Sequence, residues 1–166
     1  MTDAVDELLA QWHRERPDLD VSPMGVLGRL TRLSNLLDRE LAAFFAQYGL
    51  RFSDFDVLAT LRRSGPPYEL TAGALLKASM VTSGAITNRI DRMEAKGLVE
   101  RVRTGEDRRS VSVRLTPPGF DLVNEVVARH VENENRILAA LPGDQRDQLA
   151  NTLRQLLISL GDTSLS

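Results

Sequence analysis

The feature that most constrains the fold is a change of hydrophobic period after Gly97. Up to Met93, apolar residues recur every three or four positions, the spacing of one helix face. Residues 98–103 and 110–115 instead alternate apolar and polar side chains, as strands do, and a polar loop joins them. The pattern predicts a helix followed by a β-hairpin. The facing residues of that hairpin are expected to be Val99, Arg101 and Arg103 on one strand and Val111, Val113 and Leu115 on the other.

Two helical patterns precede this helix. The first has Ser53 as its expected N-cap and ends at the segment 64–67, which contains Gly and Pro. The second is short and is capped by Thr71. A turn at 78–81 then leads into the helix that Gly97 ends. The centre of the chain therefore predicts helix, helix, turn, helix and hairpin, which is a winged helix-turn-helix.

Amphipathic helices are expected on both sides of this centre. A short helix opens the chain, and a long one runs from Pro23 to Gly49. Thr116 caps a helix that reaches about residue 141, and a last helix follows Gly143. Their apolar stripes are too few to close a core alone, so we expect them to pair across a two-fold axis in a homodimer. The fold class is mainly α with a small β-hairpin, with N-terminal helices over 1–49, a winged helix-turn-helix over 50–116 and C-terminal dimerisation helices over 117–162.

The sequence lacks the residues that several classes of function require. The chain has no cysteine, which removes disulfides, thiol nucleophiles and cysteine-based redox switches. His13 and His130 lie far apart, without the spacing of a helical metal site, and no cofactor-binding motif occurs. The N-terminus does not have the pattern of a signal peptide, and no apolar run is long enough to span a bilayer. We expect a cytoplasmic protein without metal or cofactor, and not an enzyme.

The charges are unevenly distributed, although the formal net charge is only -2. Eleven of the 21 Lys and Arg residues, but only six of the 23 Asp and Glu residues, lie between Arg62 and Arg114. The planar guanidinium of arginine can form two parallel hydrogen bonds to a phosphate or to the edge of a guanine. A basic centre flanked by acidic ends therefore indicates a module that binds nucleic acid. The alternative is an ordinary solvated charged face.

The helix before the hairpin is expected to enter the major groove of DNA. Its wheel directs Thr87 and Asn88 outward, with Arg92 beside them. Thr82 and Ser83 lie at its start, where free N–H groups favour phosphate. The predicted DNA contacts on this helix are Thr82, Ser83, Gly84, Thr87, Asn88 and Arg92.

The hairpin tip carries the other predicted DNA contacts. Arg108 and Arg109 lie at the one place from which a wing could reach a minor groove. Asp107 is expected to hold one of them extended through an ion pair. A surface hairpin with a solvated ion pair is the alternative.

These residues resemble the MarR family of bacterial transcriptional regulators over about residues 24–160. The similar segments are 81–90, 94–101, the wing sequence D-R-R-S at 107–110 and L-T-P-P-G at 115–119. The resemblance implies a winged-helix homodimer that binds palindromic operators as double-stranded DNA, usually as a repressor that a small ligand releases.

The chain also resembles the urate-responsive subgroup of that family, which has an extra N-terminal helix with a tryptophan. The resemblance implies a site for urate or another small organic anion at Trp12, Asp56, Arg89 and Arg101. Alternatives stay open for each of them. Trp12 could simply be core, Asp56 could form a capping box with Ser53, and the two arginines could contact phosphate or pair with acids.

The position of Arg89 favours a ligand pocket, because it lies near the inward stripe of its helix. Arg101, at the base of the wing, is expected to converge on it. We expect the ligand's negative charge to compete with Asp56 for the two arginines and so to tilt both DNA-reading elements. A winged-helix module for protein interaction or DNA architecture, without a ligand response, is the alternative function.

Overall fold

The computed structural model describes residues 2–80, 86–103 and 111–165, and these residues form seven α-helices and three strands. By contacts, the chain divides into two compact units, Met1–Ala43 and Phe44–Ser166. No described helix is long and apolar enough to cross a membrane. In chain order the elements are α1 (Ala4–Glu15), α2 (Ser22–Ala46), α3 (Phe52–Arg63), β1 (Glu69–Thr71), α4 (Ala72–Ala78), α5 (Ile86–Ala95), β2 (Val99–Arg103), β3 (Val111–Leu115), α6 (Pro117–Ile137), a 3₁₀ turn (Leu138–Ala140) and α7 (Gly143–Ser159).

In the first unit, α1 packs against α2 at a glycine. Val5 of α1 is buried, and its side chain lies against Gly28 of α2, where a Cβ would be 3.4 Å from it. Asp3 caps α1 by accepting the N–H groups of Val5 at 2.8 Å and Asp6 at 3.1 Å. Arg29 of α2 then binds Asp3 at 2.8 Å and Asp6 at 2.6 Å. Packing and exposed ion pairs together hold the N-terminal helix that the sequence predicts.

The core of the second unit lies among α3, α5, α6 and the sheet, which contact one another. Apolar stripes at helical spacing supply its side chains, as the sequence pattern requires. His130 of α6 is also buried there, with its ring 5.1 Å from that of Phe45 and 5.2 Å from that of Phe55. The fully buried side chains include Phe45, Leu58, Leu61, Leu75, Met93, Val113, Val123 and Val126.

The described strands form one antiparallel sheet in the order β1-β3-β2. Its register pairs Val99 with Leu115, Arg101 with Val113 and Arg103 with Val111, which confirms the predicted hairpin. Strand β1 was not predicted, because three residues are too few to show an alternating pattern.

The start of α3 differs from the prediction. Its N-cap is Arg51 rather than Ser53, and the carboxylate of Asp54 accepts the Arg51 N–H at 3.1 Å. The turn after α2 is short: Gly49 has φ at +65°, and the Leu50 N–H donates to the Phe45 carbonyl at 3.0 Å. The next helix can therefore begin directly after Arg51. The capping-box alternative for Asp56 is therefore wrong.

One compact junction joins α5, the hairpin and α6. Gly97, with φ at +68°, ends α5, and the Leu98 N–H donates to the Met93 carbonyl at 2.9 Å. The Thr116 hydroxyl donates to the Gly97 carbonyl at 2.6 Å and accepts the Gly119 N–H at 3.2 Å. A Cβ on Gly119 would lie 1.9 Å from the Leu98 carbonyl oxygen, so only glycine fits there. This contact explains the last glycine of the L-T-P-P-G sequence.

Candidate nucleic-acid interface and ligand residues

Helix α5 separates its apolar and polar residues as the sequence predicts. Ile90 and Met93 are buried in the core of the second unit, whereas Thr87 and Asn88 are exposed. These two side chains are small and polar, which suits hydrogen bonding to base edges. The described part of α5 therefore presents a surface that could enter a DNA groove.

A buried ion pair attaches α5 to the start of α3. Arg92 Nη2 lies 2.6 Å from Asp54 Oδ1, and the Asp54 side chain is only 2% exposed. Lys96, near the end of α5, donates to the carbonyl of Gly49 in the turn between α2 and α3. The sequence predicted Arg92 as a DNA contact and assigned no role to Asp54. Its signal was the first carboxylate of S-D-F-D, three residues after Arg51, where an acid in the first turn of a helix accepts a backbone N–H.

A second ion-pair network attaches α5 to the base of the wing. The guanidinium of Arg101 in β2 binds both Asp91 and Glu94 of α5, and its backbone N–H donates to Glu94 at 3.2 Å. The hydrogen bond with Asp91 raises the pKa of Arg101; partial burial opposes this rise and the charge of Glu94 adds to it. Arg101 thus pairs with two acids of α5, which is the alternative that the sequence left open, and its convergence on Arg89 stays a prediction.

Asp56 and Arg89 occupy interior positions of the second unit. Asp56 is 3% exposed, and its two oxygens lie 3.1 and 3.3 Å from the Met80 N–H, which donates to them. Arg89 is half-buried, and its Nη1 is inaccessible to solvent. This agrees with the wheel argument that directs Arg89 toward the inward side of α5.

Trp12 lies in α1, in the first unit, and is 40% exposed. Other predicted site residues, Thr82, Ser83, Gly84, Asp107, Arg108 and Arg109, lie outside the residues that the structure describes. Among the residues it does describe, no group of three His, Asp or Glu side chains could hold a metal ion.

An open cavity of about 350 Å³ lies in the second unit, and its lining contains none of the predicted ligand residues of that unit. It is lined by Tyr68 and Phe120, among others, and the Arg62 guanidinium lies over both rings, at 5.2 and 4.7 Å from their centres. Arg62 Nε also donates to Asn124 at 2.8 Å. This cluster joins α3 to α6 and contains none of Asp56, Arg89 and Arg101.

The helices, the three-stranded antiparallel sheet and the exposed polar residues of α5 define a winged helix-turn-helix, the class of DNA-binding transcription regulators. The model of the MarR family matches residues 48–110. The chain is 45% identical to the HTH-type transcriptional regulator PecS of Dickeya dadantii, over 87% of either protein. It is 31% identical to the multiple antibiotic resistance protein MarR of Salmonella typhimurium, over 79% of this chain and 90% of that one. The protein belongs to the MarR family.

A solved structure supports the same conclusion. A MarR mutant from E. coli, complexed with operator DNA, superposes with a TM-score of 0.69 at 26% identity, over 88% of this chain and 97% of that chain. These relatives are transcription regulators, so the class of protein expected from the sequence is confirmed.

Proposed function

We propose that the protein is a homodimeric repressor that binds a palindromic operator and is released by a small organic anion. The observation that carries the DNA-binding part is the surface of α5. It exposes Thr87 and Asn88, while Ile90 and Met93 anchor the helix in the core. The operator DNA in the E. coli MarR structure supports the same use of this fold.

The proposed interface combines base-reading and phosphate-binding groups. Thr87 and Asn88 suit the major groove, and the arginines at the hairpin tip suit the minor groove or the backbone. Arg92 lies at this interface through its place on α5, where its guanidinium binds Asp54. The full proposed set is Thr82, Ser83, Gly84, Thr87, Asn88, Arg92, Arg108 and Arg109, with Asp107 as the wing ion pair.

Exposed apolar side chains support the homodimer. Large apolar residues left in water on a helix are usually covered by another chain, and closed two-fold pairs are the commonest solution. In α1 and α2 they include Leu8, Trp12, Met24, Val26, Leu27, Leu33 and Leu36. In α6 and α7 they include Val127, Val131, Leu149, Leu156, Leu157 and Ile158.

Asp56 and Arg89 support the anion response. Arg89 is half-buried, and a guanidinium in such a place suits a flat organic anion through charge-assisted hydrogen bonds. Arg89 lies on the same helix as Thr87 and Asn88, so a change at its guanidinium acts on the proposed reading surface. Urate, or another small organic anion, is the proposed ligand class.

Arg101 enters this proposal differently from the sequence-based hypothesis. An anion that binds Arg101 has to compete with Asp91 and Glu94 rather than with Asp56. Since both acids belong to α5, that competition would detach the wing from α5. The assignment of Trp12 to the ligand stays a prediction from the resemblance.

Operator binding can be tested by fluorescence anisotropy on duplexes from upstream of the protein's own gene. We expect a preference over scrambled duplex and a steep loss of affinity with salt, because phosphate contacts release counterions. Asn88→Ala should weaken operator binding about tenfold or more, as one lost base contact does. Gln11→Ala removes an exposed amide from α1 and is the matched control. Equal affinity for both duplexes would favour an architectural module.

The anion response can be tested on the preformed complex. Urate and other organic anions should release wild-type protein, because release requires tighter ligand binding to the form off DNA. Arg89→Ala should abolish release while Arg16→Ala, at an exposed arginine outside the proposed site, retains it. Release that is unchanged in Arg89→Ala would refute the assignment of this arginine.

A further inference from the structure

The guanidinium of Arg92 is occupied within the protein. Nη2 donates to Asp54 Oδ1 at 2.6 Å, and Nη1 donates to the carbonyl of Asn88, one turn earlier in α5, at 3.3 Å. Nε is buried and has no hydrogen-bond partner among the described residues. The side chain as a whole is 34% exposed. Its donors are therefore directed at the protein rather than at the surface that α5 exposes.

Asp54 needs this partner. It is almost completely buried, its Oδ1 accepts Arg92, and its Oδ2 accepts the Arg51 N–H at 3.1 Å. A buried carboxylate that loses its cation remains as an uncompensated charge in a medium that solvates it poorly. Binding of Arg92 to a DNA phosphate would impose that loss on Asp54. An exposed arginine would bind phosphate without such a penalty.

The ion pair also has a geometric consequence. Asp54 is fixed at the first turn of α3, where the core holds its neighbour Phe55. Arg92 lies four residues after Asn88, about one turn along the same face of α5. A short, buried bond at this point sets the rotation of α5 about its axis. That rotation decides where Thr87 and Asn88 point.

We propose that Arg92 is a positioning residue, which acts on operator recognition through Asp54 and does not itself bind phosphate. The proposal rests on the operator binding proposed above. It assigns Asp54, a residue with no expected contact with DNA, a part in sequence discrimination. A phosphate contact predicts the opposite behaviour of Asp54, since freeing Arg92 would then leave DNA binding unchanged or tighter.

The test compares Asp54→Asn, Arg92→Gln and the double variant in the full-length chain. Each is titrated with operator duplex and with scrambled duplex at several salt concentrations. The matched controls are Asp18→Asn and Arg16→Gln, which change the net charge equally at an exposed ion pair with 2.7 Å between its atoms. Their effects measure how much the altered net charge alone changes DNA affinity.

A positioning role predicts a loss of specificity. Each single variant should lower operator affinity about tenfold, the size of roughly one lost base contact, with less than about a twofold change on scrambled duplex. The double variant should be no worse than either single one, because both remove the same bond. The slope of log affinity against log salt should equal that of wild type.

A phosphate contact predicts a different result. Arg92→Gln would then lower the salt slope by about 0.9 and weaken both duplexes, whereas Asp54→Asn would not weaken either. That outcome would overturn the proposal. If Asp54→Asn does not fold, Arg92→Lys carries the test. It keeps the charge, so loss of operator affinity supports positioning and retained affinity contradicts it.

Amide hydrogen exchange separates this proposal from operator binding itself. Without DNA, exchange in α5 should be faster in Asp54→Asn and Arg92→Gln than in wild type, and unchanged in the two controls. Unchanged exchange in all variants would overturn the positioning role even if operator binding is confirmed. A wild-type chain that does not prefer its operator would instead refute the proposed function, and with it any role of Arg92 in recognition.

Discussion

Arginines bind acids in both units, but in different surroundings. In the first unit, Arg29 binds Asp3 and Asp6, and all three side chains are at least 40% exposed. In the second, Arg92 binds Asp54, which is buried. Water screens the first group more strongly than the second, in which Arg92 is 34% and Asp54 only 2% exposed, so bonds of similar length differ in strength and in salt dependence.

The difference shows what each bond contributes. Removing an exposed pair exchanges it for hydration at little cost, so apolar packing, such as that of Val5 at Gly28 and of Leu9 at Gly25, contributes more to the contact between α1 and α2. Removing Arg92 leaves the charge of Asp54, which water hardly reaches. The buried pair therefore fixes a geometry, whereas the exposed group mainly adjusts an orientation already set by packing.

Asp54→Ala should have the largest effect. It removes the acceptor of Arg92 and of the Arg51 N–H, and we expect the free energy of unfolding to fall by about 3 kcal/mol. Urea unfolding monitored by circular dichroism measures this loss. Asp18→Ala, at an exposed pair, should change stability by less than about 1 kcal/mol. Equal losses in the two variants would contradict the distinction between buried and exposed pairs.

Gly119→Ala should have the second largest effect on stability. It tests a close contact of the second unit in which no charge takes part. The new methyl group would meet the Leu98 carbonyl, so α6 or the hairpin must shift, at a cost of about 2 kcal/mol. In α4, a Cβ on Gly73 meets nothing within 4 Å, and Gly73→Ala should stabilise by about 0.5 kcal/mol. Thermal unfolding measures both. Stabilisation by Gly119→Ala would refute the close contact.

Arg29→Met should have a smaller effect on stability. The side chain keeps its aliphatic stem on α2 but loses both acids, and we expect a loss below about 1 kcal/mol that high salt largely removes. Arg14→Met, at an arginine that binds no acid among the described residues, is the control. A loss that persists at high salt would show that burial, rather than charge, dominates at this position.

The pH dependence of the first unit should be the smallest effect. Partial desolvation raises the pKa of Asp3, but hydrogen bonds from Arg29 and from the N–H groups of Asp6 and Val5 outweigh it, so the pKa lies below the ordinary 3.8. A carboxylate with a lowered folded pKa stabilises the fold above pH 3.8 and loses that contribution as the pH falls through the folded value. Trp12 fluorescence should report loosening of α1 in this range. Asp3→Asn should abolish that component, and an identical titration would exclude Asp3 as its source.

The sequence predicts what periodicity and local capping determine. The register of Val99 with Leu115 follows from alternation, and the start of α6 follows from Thr116 and its proline. Strand β1 is too short for a pattern. The ion pairs of Asp54 and Arg101 join residues 38, seven and ten positions apart, and which acid an arginine meets depends on how the elements pack. Arg89 was placed correctly toward the interior because a helical wheel requires only local geometry.

The junction at Leu98 has a consequence for variation of the hairpin. The N–H of Leu98 closes α5 on Met93, and its carbonyl accepts the N–H of Thr116, where α6 is capped. The two hydrogen bonds thus fix both ends of the hairpin at a single residue, Leu98. Residues could be inserted or deleted between 103 and 111 without altering the angle between the helices on either side. Under the proposed function, a change in the length of this loop alone would alter how far the wing extends from α5.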